Sequence, residues 1–145
     1  MNDQEKKDQI VRIFETLNRQ DLDGLDEWFG PDYIDHSPWG DVPGGPPFKE
    51  LVGVWLTAFP DGRYAVSNII VEGDWAAWQV RFTGTNTGSL MGMPPTGRSV
   101  DVLQVHMGRL NAEGKPAEHW TGNDMLAALT QLGVVPDMAP APASA

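Results

Sequence analysis

The sequence contains no cysteine among its 145 residues. This absence excludes disulfide bonds, thiol nucleophiles and metal sites that use cysteine. Basic residues are also few, because lysine and arginine number 10 against 20 aspartates and glutamates, for a formal net charge of −10. The basic residues form no cluster, so we expect neither a nucleic acid nor an anionic membrane as a partner.

Long apolar runs are missing as well. No stretch approaches the ~20 apolar residues that a membrane-spanning helix requires. The first segment, MNDQEKKDQI, has no hydrophobic signal region, so we expect a cytoplasmic protein. The length suits one domain with its own core. We predict that this domain covers residues 1–135 and that the Pro/Ala-rich residues 136–145 form a flexible tail.

The hydrophobic pattern changes its period once along the chain. Apolar residues first recur at helical spacing and, after residue 62, at a spacing of two. This pattern predicts helices at about 3–19, 22–29, 47–59 and 124–132, and strands at about 63–73, 74–88, 98–110 and 115–122. The Pro- and Gly-rich segment 33–47 predicts an ordered loop. Helices followed by antiparallel strands indicate an α+β fold with helices on one face of a sheet.

Polar residues fall together on the last two predicted strands. If the turn at Asn111–Gly114 closes a regular hairpin, His106 lies opposite His119 and Gln104 lies opposite Thr121. Opposed side chains of an antiparallel pair share a face, so the four would form one polar group. Placing four polar side chains on a half-buried face costs free energy, which favours a ligand site there.

This group suits proton transfer next to a carbonyl. Two neighbouring imidazoles resist being charged together, so at least one should be neutral near neutral pH and able to accept a proton. Gln104 could hold a carbonyl or enol oxygen. Asp124 could supply a carboxylate, although an acid at a helix start most often only caps the helix. We therefore take Asp124, His106 and His119 as candidate catalytic residues.

Several segments resemble a known family. The segments VGVWLTAFPD, TGTNTGSLMGMPPTGRSV, QVHMGRL, GKPAEHW and DMLAALTQLG are together similar to the SnoaL-like polyketide cyclases, over nearly the whole chain up to Gly133. The resemblance implies a conical barrel, in which N-terminal helices close a curved, mainly antiparallel sheet around a deep pocket. It also implies ring closure of a polyketide by intramolecular aldol condensation without metal or organic cofactor, and a homodimer formed through the outer face of the sheet.

The resemblance extends to individual polar pocket positions, and one position differs from the family pattern. Gln104, His106 and His119 match polar pocket positions of the family. The cyclases place their acid/base aspartate two residues after the histidine that matches His119, and here that position is Thr121. We expect further substrate contacts from a lid or entrance and from apolar walls: Asp35, His36 and Trp39 at the entrance, and Trp55, Phe59, Met91 and Met93 in the walls.

Three functions remain open on the sequence. We favour a cofactor-free cyclase, isomerase or lyase that acts on an apolar, aromatic or polyketide-like carbonyl compound. A binding protein of the same fold that holds such a molecule without turning it over is the alternative. A hydrolase similar to epoxide hydrolases would use Arg81, Asp101 and Asp124, but strand alternation puts Asp101 on the face opposite Gln104. The histidines and a carboxylate could bind zinc, yet nothing in their spacing requires a metal.

Overall fold

Three α-helices and a six-stranded mixed sheet make up the fold of the computed structural model, which describes residues 1–138. The helices are α1 (Asp3–Asn18), α2 (Pro46–Ala58) and α3 (Met125–Gln131), with a short 3₁₀ helix at Gly24–Glu27. The strands are β1 (Ile34–Ser37), β2 (Gly40–Pro43), β3 (Arg63–Glu72), β4 (Trp75–Thr85), β5 (Ser99–Leu110) and β6 (Pro116–Asn123). The predicted α+β class is confirmed. Most of the predicted tail lies outside the described residues.

The strands follow the order β2-β1-β6-β5-β4-β3. Neighbouring strands are antiparallel except for β1 and β6, which pair in parallel. The sheet is open, with β2 and β3 at its edges, so helices rather than a ring of strands cover its inner face. Within residues 1–138 no helix is long and apolar enough to cross a membrane.

The segment predicted as an ordered loop contains β1 and β2. These strands have only four residues each, and their sequence is rich in proline, glycine and polar residues, which conceals the strand pattern. The partner of β1 is β6, about eighty residues later, a pairing that no local pattern can reveal. Its register places Asp35 beside His119.

The first helix is capped at its N-terminus and packs an apolar side against the sheet. Asn2 caps α1 by accepting a hydrogen bond from the backbone N–H of Glu5 at 2.9 Å, and the Glu5 carboxylate accepts one from the backbone N–H of Asn2 at 2.7 Å. Ile10, Phe14 and Leu17 lie on one side of the helix and are buried. Phe14 contacts Tyr64 of β3, with ring centroids 5.8 Å apart, so α1 lies over the β3 side of the sheet.

The second predicted helix is largely irregular. Only Gly24–Glu27 is helical, as a 3₁₀ turn. Leu25, Trp28 and Phe29 are nevertheless buried, as their apolar pattern indicated. The segment packs its large side chains into the core without a regular helix, which is how a short apolar pattern can predict burial correctly and secondary structure wrongly.

The predicted pairing of His106 with His119 is wrong. His106 lies opposite Thr121, and His119 lies opposite Gly108. Leu110 pairs with Pro116 instead of Lys115, and the irregularity between Arg109 and Leu110 displaces the register by one more residue, so the total shift is two residues. Side chains alternate between faces with a period of two, so a shift of two leaves each of them on its predicted face. The polar group therefore survives with different cross-strand partners.

Within residues 1–138, no helix lies on the other face of β5. Leu103, Val105 and Met107 are 51%, 54% and 45% exposed. The helices lie on the opposite face, above His106 and Trp78. The apolar row is thus the outer surface of the sheet.

Gly44, the residue after β2, packs closely against the backbone of Gly30. The backbone N–H of Gly44 donates to the carbonyl of Tyr33 at 2.9 Å, and a Cβ atom at residue 44 would lie 2.0 Å from the carbonyl oxygen of Gly30.

We expect Gly44→Ala to lower the free energy of unfolding by about 2 kcal/mol or more. Gly53→Ala is the control, since a Cβ at this position of α2 meets no atom within 4 Å and should raise stability by up to ~1 kcal/mol. Urea unfolding measures both, and equal midpoints for the two variants would contradict the packing described.

Candidate active site

A cavity opens between the inner face of the sheet and the helices that cover it. It contains about 1110 Å³ of empty space, including its mouth. Most of its wall is apolar and aromatic, with contributions from Phe14, Phe29, Tyr33, Phe48, Trp55, Tyr64, Trp78 and Phe82. Its polar lining residues include Asp35, Gln104, His106, His119, Thr121 and Asn123, and His36, Ser37 and Glu118 also border it. Such a cavity with a few convergent polar groups is typical of a small-molecule site.

The polar residues form a hydrogen-bonded chain across the sheet. The Tyr33 hydroxyl donates to Asp35 Oδ2 at 2.8 Å, and the same oxygen lies 2.9 Å from His119 Nδ1. His119 Nε2 lies 2.9 Å from His106 Nδ1, and His106 Nε2 lies 3.1 Å from Gln104 Oε1. We call this chain of five side chains the relay. It connects a buried carboxylate to a carboxamide through two imidazoles.

The relay depends on three adjacent strands. Asp35 projects from β1, His119 from β6, and Gln104 and His106 from β5, all on the inner face. The parallel pairing of β1 with β6 puts Asp35 directly beside His119. Asp35 is only 7% exposed, so its carboxylate interacts with the imidazole with little screening by solvent.

Aromatic packing keeps His106 neutral. Its ring stacks on Trp78, with centroids 5.5 Å apart and planes 14° apart, and Phe14 packs against it edge to face, with ring centroids 5.5 Å apart. Burial, and secondarily the charge of His119, lower the pKa of His106 from 6.5 to about 2. His106 can therefore pass a proton on but cannot retain one as a cation near neutral pH.

Tyr33 remains a hydrogen-bond donor at the other end of the relay. Burial, and secondarily the negative charge of Asp35, raise the pKa of its hydroxyl well above the usual value of 10.0. The hydroxyl thus stays protonated and supports the carboxylate. The charge of Asp35 is balanced by hydrogen bonds from Tyr33 and His119.

Counting hydrogens shows that the relay has two protonation states. In one state His119 carries both ring protons, donating Nδ1–H to Asp35 and Nε2–H to His106, and His106 donates Nε2–H to Gln104. In the other state His119 is neutral, His106 donates Nδ1–H to it, and Gln104 is turned so that its amide N–H donates to His106 Nε2. The two states differ by one proton and by the rotation of one amide. The relay can therefore take up and return a single proton.

Thr121 lies beside the two imidazoles. Its hydroxyl is 3.3 Å from His119 Nε2 and 3.4 Å from His106 Nδ1, both weak contacts. Its hydroxyl does not titrate in the range where histidine does, so it can position the rings but cannot replace an aspartate as a base. The predicted Gln104–Thr121 pair is also displaced by the register shift, because Gln104 lies opposite Asn123.

The entrance residues split into two groups. Trp39 borders the mouth of the cavity and is 61% exposed, whereas Asp35 is a buried member of the relay. His36 borders the cavity, but its ring stacks on Trp120 with centroids 4.5 Å apart, and it bonds Asp41 at 2.8 Å and Glu118 at 3.3 Å. The hydrogen bond with Asp41 is the main cause of a pKa of His36 above 6.5.

Asp124 lies apart from the relay. It is exposed, and its Oδ1 accepts a hydrogen bond from the backbone N–H of Ala127 at 3.0 Å, as the N-cap of α3. Asp124 and Phe59 border a second, smaller cavity, and Trp55 borders both cavities. The predicted wall residues Met91 and Met93 lie in the segment that connects β4 to β5.

The residues of the hydrolase hypothesis are not brought together. Arg81 and Asp101 form an ion pair on the outer face of the sheet, where both are exposed, whereas Asp124 caps α3. In residues 1–138, no group of three or more histidines, aspartates and glutamates is arranged to hold a metal ion.

Sequence reasoning missed Tyr33 and Asn123 and assigned Asp35 to the entrance. One signal was available for the first strand. If segment 33–37 is treated as a strand, alternation puts Tyr33 and Asp35 on one face and Ile34 and His36 on the other. The face is decided only by the pairing with β6, which requires the structure.

Comparison with known proteins identifies the family. A family model described as SnoaL-like polyketide cyclase matches residues 8–132. The chain belongs to the SnoaL-like polyketide cyclase family. This confirms the resemblance drawn from the sequence segments.

Individual relatives cover most of the chain. Nogalonic acid methyl ester cyclase of Streptomyces nogalater is 33% identical over 81% of this chain and 90% of its own length. The crystal structure of AclR from Streptomyces galilaeus, described as a candidate hydroxylase, is 32% identical with a TM-score of 0.83, over 95% of this chain and 87% of that chain. IdmH from Streptomyces antibioticus, described as a candidate polyketide cyclase, is 31% identical with a TM-score of 0.72, over 88% and 98%.

His106 and His36 should titrate at different pH values. We expect the ring nitrogen signals of His106 to stay in the neutral form from about pH 5 to pH 9, because burial lowers its pKa to about 2. His36 is the internal control, since its raised pKa should give a titration midpoint above 6.5. Nitrogen-15 NMR of the imidazole rings measures both. A His106 midpoint near that of a free histidine would show that the ring is not held neutral.

Proposed function

We propose that this protein is a cofactor-free enzyme that catalyses acid–base chemistry, an intramolecular aldol cyclisation or a related isomerisation, on an apolar polyketide-like carbonyl compound. One observation carries the proposal: a buried relay from Asp35 through His119 to His106 forms part of the wall of an apolar cavity. The family's polyketide substrates, and the name of the nogalonic acid methyl ester cyclase, agree with this substrate class.

The first step is removal of a proton from a carbon next to a carbonyl group. The substrate displaces the carboxamide of Gln104 from His106 Nε2, and that nitrogen takes the proton while the C–H electron pair moves onto the carbonyl oxygen. His106 passes its Nδ1 proton to His119, because His106 cannot remain cationic beside Trp78 and Phe14. The displaced Gln104 is then free to donate an N–H to the enolate oxygen.

The second step returns the proton. The enolate carbon attacks a second carbonyl carbon of the same molecule, a C–C bond forms, and the attacked carbonyl oxygen takes the proton back from His119 through His106. No oxidant or other reactant enters, so substrate and product are isomers. In an isomerisation the proton returns to a different carbon instead. Asp35 compensates the positive charge of His119 between the two steps.

Asp35 supplies the carboxylate that Thr121 lacks. An aspartate at residue 121 would reach the histidines from β6, whereas Asp35 reaches His119 at 2.9 Å from the neighbouring strand. The same chemical group thus comes to the imidazole pair from a different element. Its carboxylate acts on His119 rather than on substrate, which makes Asp35 a positioning residue.

Deuterium exchange tests the proton transfer without knowledge of the natural substrate. We expect wild-type protein to speed the uptake of deuterium at the acidic carbon of 2-tetralone, a flat apolar ketone, in D₂O. Asp35→Asn should slow the catalysed exchange by ~10²–10⁴-fold, because the amide cannot stabilise a cationic His119. Asp124→Asn is the matched control and should exchange at the wild-type rate, since Asp124 caps α3 outside the relay. Proton NMR follows the exchange.

The outcomes of the exchange experiment distinguish an enzyme from a binding protein and test the relay as the base. Saturable binding of 2-tetralone by wild type with no faster exchange would establish a binding protein instead of an enzyme. Wild-type exchange in Asp35→Asn would exclude the relay as the base. Nogalonic acid methyl ester then separates the two reactions, because aldol cyclisation converts a carbonyl carbon into a carbinol carbon in the carbon-13 NMR spectrum of the product, whereas a simple isomerisation forms no new C–C bond.

We further propose that the protein is a homodimer formed through the outer face of the sheet. Leu103, Val105 and Met107 form an exposed apolar row on that face. Ion pairs bound the row at both ends, Arg81 with Asp101 and Arg109 with Glu118. An apolar centre with a charged rim is the usual make-up of an interface between subunits, and a second copy offers the same surface.

Charge placed in the apolar row should separate the subunits. We expect wild-type protein to elute as a dimer, and Leu103→Glu/Val105→Glu to elute as a monomer, because carboxylates buried against each other repel. Leu126→Glu on α3 is the control, since Leu126 is similarly exposed at 54% but lies away from this face. Light scattering after gel filtration measures the masses. A monomeric wild type, or a dimeric double variant, would exclude this interface.

A further inference from the structure

A second chain of polar side chains crosses the sheet on the face opposite the relay. His36 Nδ1 lies 2.8 Å from Asp41 Oδ1 on β2, and His36 Nε2 lies 3.3 Å from Glu118 Oε1 on β6. The other carboxylate oxygen of Glu118 accepts a hydrogen bond from Arg109 Nε on β5 at 2.6 Å. We call Asp41, His36, Glu118 and Arg109 the latch. It connects β2, β1, β6 and β5, which are neighbours in that order.

Stacking fixes the orientation of the His36 ring. The ring lies on the indole of Trp120, with centroids 4.5 Å apart and planes 16° apart, and Trp120 stacks in turn on Trp75 of β4 at 5.7 Å. Within residues 1–138, the charged side chains that contact His36 are Asp41 and Glu118. One ring nitrogen is therefore directed to each neighbouring strand, and its partner on each of them is a carboxylate.

Whether the latch is complete depends on one proton. A charged imidazole donates from both nitrogens and serves both carboxylates, whereas a neutral imidazole has a single N–H and leaves one carboxylate without it. The hydrogen bond with Asp41 is the main cause of the raised pKa of His36, so the charged form persists above the usual value of 6.5. Because this pKa is raised in the folded protein, the contribution of the latch is present at low pH and is lost as the pH rises through that pKa. Solvent reaches the half-buried ring and limits the contribution by screening.

The strand β1 carries the latch and the relay on its two faces. His36 contacts Glu118 on one face, and on the other its neighbour Asp35 contacts His119, which follows Glu118 in β6. β1 pairs with β6 over residues 34–36 only, so few backbone hydrogen bonds hold it there. A displacement of β1 by about 1 Å would lengthen the 2.9 Å contact between Asp35 and His119 beyond hydrogen-bond distance. Contacts of the latch therefore affect the geometry of the relay.

We propose that His36 is a positioning residue: in its charged form it binds both Asp41 and Glu118, holds β1 against β6, and so keeps the carboxylate of Asp35 within hydrogen-bond distance of His119. The relay then depends on pH through a group on the opposite face of the same strand. The inference rests on the proposed function for the use of the relay in catalysis, but the contact itself can be measured without a substrate.

Two variants of His36 separate its donors from its ring. His36→Arg keeps a positive charge, several N–H donors and a planar group that can stack on Trp120. His36→Phe keeps an aromatic ring on Trp120 and has no donor. Asp101→Asn is the matched control, because it removes a carboxylate from an ion pair on the outer face that does not include β1. Light scattering ensures that all proteins are compared in the same oligomeric state.

The proton between Asp35 and His119 reports the contact directly. His119 donates its Nδ1–H to Asp35 in both protonation states of the relay, so the far-downfield proton NMR signal of this group follows the contact and not the charge of His119. Nitrogen-15 labelling of histidine and the loss of the signal in His119→Gln assign it. We expect the wild-type signal to be strong at about pH 5.5 and to weaken several-fold as His36 loses its proton.

The variants should change this pH dependence. His36→Arg should keep the signal up to about pH 9, His36→Phe should show it weakly throughout, and Asp101→Asn should behave as wild type. A wild-type signal that the titration of His36 leaves unchanged would overturn the inference, as would full retention of the signal in His36→Phe. A loss shared by His36→Arg would indicate exchange with solvent and would overturn it too. If His36→Phe does not fold, the comparison of wild type with His36→Arg decides the outcome.

The deuterium exchange of 2-tetralone separates this inference from the proposed function. We expect His36→Phe to slow the catalysed step by ~10–10²-fold with little change in the affinity for 2-tetralone, and His36→Arg to restore the rate, because the geometry of the relay is altered and the binding wall is not. A signal that follows His36 in a protein without catalysed exchange would remove the enzyme and leave the positioning of Asp35 standing. Wild-type exchange in His36→Phe would overturn the inference and leave the enzyme standing.

Discussion

The contact between Asp35 and His119 is the interaction on which the site depends. It forms because β1, a strand of four residues, pairs in parallel with β6 at the far end of the chain. The carboxylate is buried and reaches the imidazole at 2.9 Å, and Tyr33 holds the same oxygen from the other side. Without this pairing the two histidines would have no carboxylate beside them, and a protonated His119 would be an uncompensated buried charge.

The cavity around the relay supports the proposed acid–base chemistry in two ways. Aromatic rings from α1 and β4 pack on His106, and burial lowers the pKa of its ring, so in the proposed mechanism a proton received there moves on to His119. The same apolar wall excludes water and strengthens every remaining electrostatic interaction. In the proposed mechanism the carboxylate need only come within hydrogen-bond distance of the ring, whichever strand supplies it.

Much of the fold follows from the pattern of the sequence. The helical spacing of Ile10, Phe14 and Leu17 predicts α1 and its buried face, and the alternation along β5 predicts that Gln104 and His106 share a face. The hairpin register could not be read in the same way, because an irregularity of the backbone leaves no mark on the apolar pattern. The 3₁₀ segment at Gly24–Glu27 shows a similar limit, since burial of large side chains does not require a regular helix.

The sequence by itself determined the α+β class, the family and the presence of two histidines and a glutamine on one face of the sheet. Local periodicity and composition are sufficient for these, because each depends on neighbouring residues. Only the tertiary structure decided which carboxylate joins the histidines. Asp124 is near them in sequence but caps a helix, whereas Asp35 is 84 residues away and lies in contact with His119. That choice depends on long-range strand pairing, for which a single sequence carries no local signal.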